Sequence, residues 1–219
     1  MSEDDPGAFK AVDDLPLDWS PLAKVLRPGL VAIAVDAGGD ALDELGLFDA
    51  EIKLAMTADA TEAAADRAAE MVGMKWVDGD LVPNPNAVWR IDEATRDMIR
   101  STATTAVKEG WSNQRLAAEL NDDHAFSADR AINIARTETG RAQTEGSVAG
   151  WKASGVVGGK QWSAAPDCCD ICQELDGEIV GLDEQFEDGD PPLHPSCRCG
   201  LDAVLIDDMP GEETDNGND

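Results

Sequence analysis

The five cysteines of the chain all fall in one short stretch, as Cys168, Cys169, Cys172, Cys197 and Cys199, with His194 among them. A disulfide framework spreads its cysteines along a secreted chain. Sulfurs gathered beside a histidine point instead to a metal ion. Cys169-Asp170-Ile171-Cys172 sets two sulfurs three residues apart, so a tight turn can aim both at one ion while its amides stabilise the thiolates. His194-Pro195-Ser196-Cys197 repeats that separation, and Cys199 follows directly. Cys169, Cys172, His194 and one of Cys197 or Cys199 would complete a Cys3His tetrahedron around a structural Zn2+. Cys168 reads as a bystander. A closed site of this kind supplies on the order of 10 kcal/mol of binding free energy, which becomes folding free energy for a polar segment too short to build a core. Two other readings stand beside it. One is free thiols with a surface histidine. The other is a redox Cys-x-x-Cys, disfavoured because the motif is not expected to open a helix after a buried strand.

Around this cluster the chain reads as α+β: a mostly helical N-terminal part followed by a small C-terminal β-rich, zinc-stapled module. Residues 1–18 form an acidic, flexible start, 19–125 a helical region, 126–206 a long helix plus the Cys/His module, and 207–219 an acidic tail. Ser20-Pro21 opens a helix that Pro28 should end or kink within two turns. Leu30–Val35 is ambiguous between helix and strand, and the spacing of Ala41, Leu42 and Leu45 favours helix. The alanine-rich Thr57–Val72 is helical by composition, and Gly79–Asn86, with two prolines, reads as a loop. Asp92 caps a helix with apolar Ile99, Ala103, Ala106 and Val107, stopping at Gly110. Ser112 caps a short helix bearing Leu116 and Leu120. Ser127 caps a long one ending near Gly155, in which Gly140, Gly146 and Gly150 cause either a kink or close helix contact. His124 reads as a loop residue. Beyond Val156, short apolar pieces (160–162, 178–180 and 203–206) among Gly, Pro and Asp read as strands.

Acids outnumber bases 45 to 17, for a formal net charge of −28. Such a surface repels phosphate, so direct nucleic-acid binding is expected only at high salt. The six tryptophans have no basic stripe beside them and read as core or interface anchors, not as base-stacking platforms. The acids are spread along the chain, which favours a salt-adapted source such as a haloarchaeal host, since at molar salt the screening length falls to about 3 Å. No apolar run approaches the roughly 18 residues of a membrane span. The acidic start lacks the basic-then-apolar order of a secretory signal, so the protein is expected to stay where it is made.

The order Ile134-Ala135-Arg136-Thr137-Glu138, Ala142, Gly146, Trp162, Asp167, Cys169-x-x-Cys172, Leu175-Asp176-Gly177 and Pro191-Pro192-Leu193-His194-Pro195-Ser196-Cys197-Arg198-Cys199 resembles the phage Mu protein F-like head-morphogenesis family. Leu45–Asp49, Ile91–Arg96 and Gly110-Trp111-Ser112 with Leu116-Ala117 resemble its helical part, so the likeness runs over roughly residues 41–206. The resemblance implies a minor capsid component of a tailed virus, few in copy number and associated with the portal vertex. Its partners would be the portal and/or the major capsid protein. It would act in head assembly or DNA delivery, residing in the virion and, during assembly, in the host cytoplasm. The doubled Cys168-Cys169 departs from the family's pattern.

No catalytic residue and no enzyme activity are expected. The competing reading is a zinc-dependent hydrolase, a nuclease or peptidase of head maturation, with Glu138 or Glu174 as general base at an open metal position. Thiolate-rich sites activate water poorly, which disfavours it. Glu138 reads instead as half of an ion pair, with Arg141 or Arg198, that locks the long helix to the metal module. Arg136 belongs to the same motif, and Arg198 reads as pairing with a carboxylate or packing across the module, not as a phosphate contact. A fused effector toxin, to which domains of this type can be joined, is not expected because the chain ends soon after the motif.

Overall fold

A computed structural model describes residues 18–88, 90–122 and 127–210. The readings made for 1–17, His124 and 211–219 fall outside the described residues, as do Trp89 and the side chains of Asp92, Ala103, Val107, Leu116 and Leu120. The elements in chain order are α1 (Ser20–Glu44), α2 (Ala50–Glu70), β1 (Met74–Val77), β2 (Asp80–Pro83), α3 (Ile91–Glu109), α4 (Asn113–Asp122), α5 (Ala128–Ser154), β3 (Val157–Ser163), α6 (Asp170–Glu174), β4 (Ile179–Gly181), β5 (Gly200–Leu205) and a 3-10 turn at Ile206–Asp208. The described residues form two compact units, one lying within 18–32 and 62–136 and the other within 33–61 and 137–210.

In the first unit one reading is narrowed and one corrected. Of the two outcomes expected at Pro28, an end or a kink, the end is excluded: α1 runs on to Glu44. An internal proline removes one helical hydrogen bond and crowds a carbonyl, at about 3 kcal/mol. Residues beyond it (Leu30, then Ala34, Ala41 and Leu42) are buried, and such burial, worth about 2 kcal/mol for a leucine, offsets the loss. The segment read as a loop contains β2, which pairs antiparallel with β1 in the register Met74 with Pro83 and Val77 with Asp80. Its turn is Asp78-Gly79, with φ of 50° and 87°, the left-handed pair a two-residue hairpin requires. The hairpin is tied down by Trp76 Nε1, which donates to the Ala65 carbonyl at 2.9 Å, and by Arg27 lying 5.1 Å over the indole. The helix stops behave as expected: α3 ends at Gly110, φ 66°, and Ser112 and Ser127 accept the amides of Arg115 and Arg130 at 3.2 Å each.

The second unit combines parts of α1, α2 and α5 and the short α6 with the C-terminal sheet. Asp49 caps α2 by accepting the Glu51 and Ile52 amides, and Gly155 (φ 66°) ends α5. A β-carbon at Gly146 would overlap the Ala34 carbonyl, and one at Gly150 would stand 2.6 Å from the Gly38 carbonyl oxygen. Of the two readings of these glycines, close helix contact is therefore the one observed between α1 and α5. Gly140 has open space beside it. The sheet has the order β4-β3-β5, antiparallel throughout. Beneath it Trp162, Cys172, Leu175, Phe186 and Cys197 form one buried cluster, with Trp162 and Phe186 edge to face at 5.2 Å. A second cluster joins Ala41, Trp151 and Val157. Lys160, 1% exposed, is held in this interior by Asp190 at 2.6 Å.

Candidate metal centre

Two loops bring the donors together. The first follows β3. The sequence reading places no helix at the Cys-x-x-Cys motif, and this is corrected: Cys169 is the N-cap of α6, a single short turn, and the Gln173 amide bonds its carbonyl at 3.0 Å. The turn wraps Cys172 inward until it is fully buried, while Cys169 stays exposed. The second loop, between β4 and β5, carries Pro191 to Cys199. It contains a β-turn in which the Cys197 amide bonds the His194 carbonyl at 3.1 Å, with Pro195 and Ser196 at its centre.

The donor atoms converge. His194 Nε2 lies 3.4 Å from Cys169 Sγ and 3.5 Å from Cys172 Sγ, and Cys172 Sγ lies 3.9 Å from Cys197 Sγ. An ion bound at the usual zinc distances, about 2.3 Å to sulfur and about 2.0 Å to nitrogen, has tetrahedral edges of about 3.8 Å between sulfurs and about 3.5 Å from sulfur to nitrogen. The three observed edges match these values, so Cys169, Cys172 and His194 fit three corners of a tetrahedral ion, and Cys197 stands at a matching distance from Cys172. Cys169, Cys172 and His194 form one group of donors mutually within 4.8 Å, and Cys172, Cys197 and Cys199 form another. Cys172 belongs to both. Cys199 accepts the Ala165 amide at 3.4 Å, the kind of bond that stabilises a thiolate. Cys168 points instead to Gln173 Oε1 at 3.8 Å and belongs to neither group.

The electrostatics divide along the same line as the burial. The Cys172 backbone amide, helped by the Cys172 thiol and His194, lowers the Cys169 thiol below its ordinary range. Burial raises the Cys172 thiol, and the neighbouring Cys169, Cys197 and Cys199 thiols push it the same way. Burial also raises Cys199. A short helix opened by an exposed, acidified cysteine is the arrangement a redox dithiol uses too, so that argument against redox chemistry does not stand. The approach of His194 to both thiols, and of Cys197 to Cys172, is the feature a dithiol does not need and a metal site does.

The long helix grips the second loop. Thr137 Oγ1 accepts the Ser196 amide at 3.0 Å, and Arg141 Nη2 donates to the Pro192 carbonyl at 3.4 Å. Glu138, 8% exposed, pairs with Arg141 at 3.8 Å, as the ion-pair reading expects. Arg136 is exposed. Arg198 pairs with Asp167, whose carboxyl it lowers. Glu174 is exposed on α6, and neither it nor Glu138 is among the grouped donors. Arg136 and Glu138 stand out in the sequence and the threonine between them does not, because a small polar residue carries no mark of its burial there. Trp151 and Trp162 are core residues, whereas Trp111 lies under the Arg115 guanidinium at 4.1 Å and donates to Glu109.

Residues 97–202 match the family model of the Phage Mu protein F like proteins. The match begins inside α3 and takes in α5 and every donor of the centre; the segments at 45–49 and 91–96 precede it. The chain is also similar to the NAD(+)–arginine ADP-ribosyltransferase EFV of Enterococcus faecalis, at 33% identity over 93 residues, which are 40% of this chain and 19% of that protein. The chain therefore spans less than a fifth of that relative's length, and the named activity is a statement about the relative. No solved structure matches significantly.

Proposed function

We propose that this chain, whose residues 97–202 form a phage Mu protein F-like region, is a minor capsid or head-morphogenesis protein of a tailed virus. Its residues 126–206 act as a structural module stapled by one zinc ion. Cys169, Cys172, His194 and Cys197 are the ligands, with Cys199 as the alternative fourth sulfur. The observation that carries this reading is the match of three donor distances, 3.4, 3.5 and 3.9 Å, to edges of a tetrahedral ZnS3N site inside the family-matching region. Zinc bound there would hold two loops that otherwise share only a small core. The residues themselves bring the donors, shield Cys172 and Cys197 from water, and fasten the histidine loop to α5. Four protein donors leave no position for a reacting water, so the module binds partners and assembles, with no turnover.

The portal and/or the major capsid protein are the partners proposed, with the protein at the portal vertex of the virion and in the host cytoplasm during assembly. The evenly spread acids support a haloarchaeal host, where molar salt screens the net charge of −28. No described helix is long and apolar enough to cross a membrane.

Cobalt substitution tests the centre. One ion per chain and a tetrahedral thiolate–imidazole absorption that does not change with added water-exchangeable anions support a closed staple. A five-coordinate spectrum that shifts with such anions favours the hydrolase reading. Cross-linking of purified virions followed by mass spectrometry tests the placement, and an absence of cross-links to the portal or major capsid protein would remove it.

A further inference from the structure

We propose that Thr137 is a positioning residue for the metal centre, acting on His194 through a single peptide unit. This rests on the proposed metal site and assigns a role to a helix residue outside the donor set. The turn from His194 to Cys197 has proline at its first central position and Ser196 at its second with φ +62°. That is the type II arrangement, which favours glycine at the second position because a β-carbon is crowded in left-handed backbone. Serine therefore prefers the flipped, type I form of the turn, and something must hold the peptide between Pro195 and Ser196 as it stands.

Both ends of that peptide are engaged. Its amide, from Ser196, donates to Thr137 Oγ1 at 3.0 Å, and Thr137 is 6% exposed on the long helix α5. Its carbonyl, from Pro195, lies 3.1 Å from His194 Nδ1. With Nδ1 carrying the proton, this carbonyl accepts it, and Nε2 is left as the free donor facing Cys169 and Cys172 at 3.4 and 3.5 Å. Outer hydrogen bonds of this kind set the tautomer and ring orientation of a ligating histidine. A flip of the peptide would turn the carbonyl from the imidazole and the amide from Thr137 together. Thr137 thus fixes the tautomer of the His194 ring through the peptide that both engage.

The test compares the full-length protein with Thr137→Val, Thr137→Ser and the pair Thr137→Val with Ser196→Gly. Zinc release to a chelator is measured in each, and the His194 ring nitrogens are followed by NMR in the metal-free protein. Thr137→Val should release zinc about ten- to a hundredfold faster and lose the single Nδ1–H tautomer. Thr137→Ser should match the native protein. The pair should recover part of the loss, since glycine takes the positive φ without crowding. Equal release rates and an unchanged tautomer in Thr137→Val would overturn the inference, as would a Thr137→Ser variant as impaired as Thr137→Val. Should Thr137→Val fail to fold, Thr137→Ala alone and with Ser196→Gly carries the same comparison. If the native protein binds no zinc at all, the metal reading falls, and the tautomer measurement still decides whether Thr137 sets the ring.

Discussion

The second unit contains two interiors that are built in opposite ways. Where α1 meets α5, order comes from missing side chains: Gly146 lets the Ala34 carbonyl approach, and Gly150 does the same for Gly38. The backbones come together because nothing stands between them, and only shape is specified. Beside the sheet, order comes from added chemistry. Trp162 and Phe186 supply a small apolar cluster, and sulfur and imidazole from two loops converge next to it. The first interior can be damaged only by changing volume. With the proposed ion bound, the second could be emptied by acid or a chelator with every atom of the chain in place, so a fold held that way would be conditional on its surroundings.

The largest effect that would expose this difference is expected from Cys172→Ser. Cys172 belongs to both donor groups, so its loss should bring the metal-to-protein ratio from about one towards zero and open residues 157–205 to protease, while the helical circular dichroism of α1, α2 and α5 persists. Full metal content and an unchanged melting temperature would show that the site is misassigned.

Acidification should come next. Metal must displace the proton that burial holds on Cys172, so affinity falls as pH falls and the loaded module weakens on the acid side. Without metal the sign reverses. A raised thiol value means the folded state keeps a proton the unfolded chain gives up, so stability is complete below the ordinary value of 9.0 and is lost as pH climbs above it. Melts with and without chelator should therefore slope in opposite directions with pH; parallel curves would erase the distinction between the two interiors.

Gly146→Ala should cost about 1–3 kcal/mol by overpacking and leave the metal ratio untouched. Its control, Gly140→Ala, has open space and should gain up to about 1 kcal/mol through helix propensity alone. Denaturant titration measures both, and equal effects would mean that α1 and α5 are not in register at Gly146.

Much of this was legible beforehand because it is local. Capping by Ser112 and Ser127, the stops at Gly110 and Gly155, and the strands after Val156 each follow from a few adjacent residues. The misreadings had different origins. Asp78-Gly79 between two short apolar runs was a usable hairpin signal, masked by the prolines at 83 and 85. Pro28 could not be judged locally, since what carries α1 past it is burial further along the helix.

The sequence by itself determined the donor set: sulfur and imidazole at three-residue spacings point to one ion wherever the chain goes, because ligand chemistry belongs to the residue. Only the tertiary structure decided which donors meet, which of them water reaches, and that Thr137 accepts the Ser196 amide in the turn between His194 and Cys197. Distance between residues remote in the chain is a property of packing. A threonine is chemically the same in solvent as against a loop amide, and only the fold gives its hydroxyl a partner.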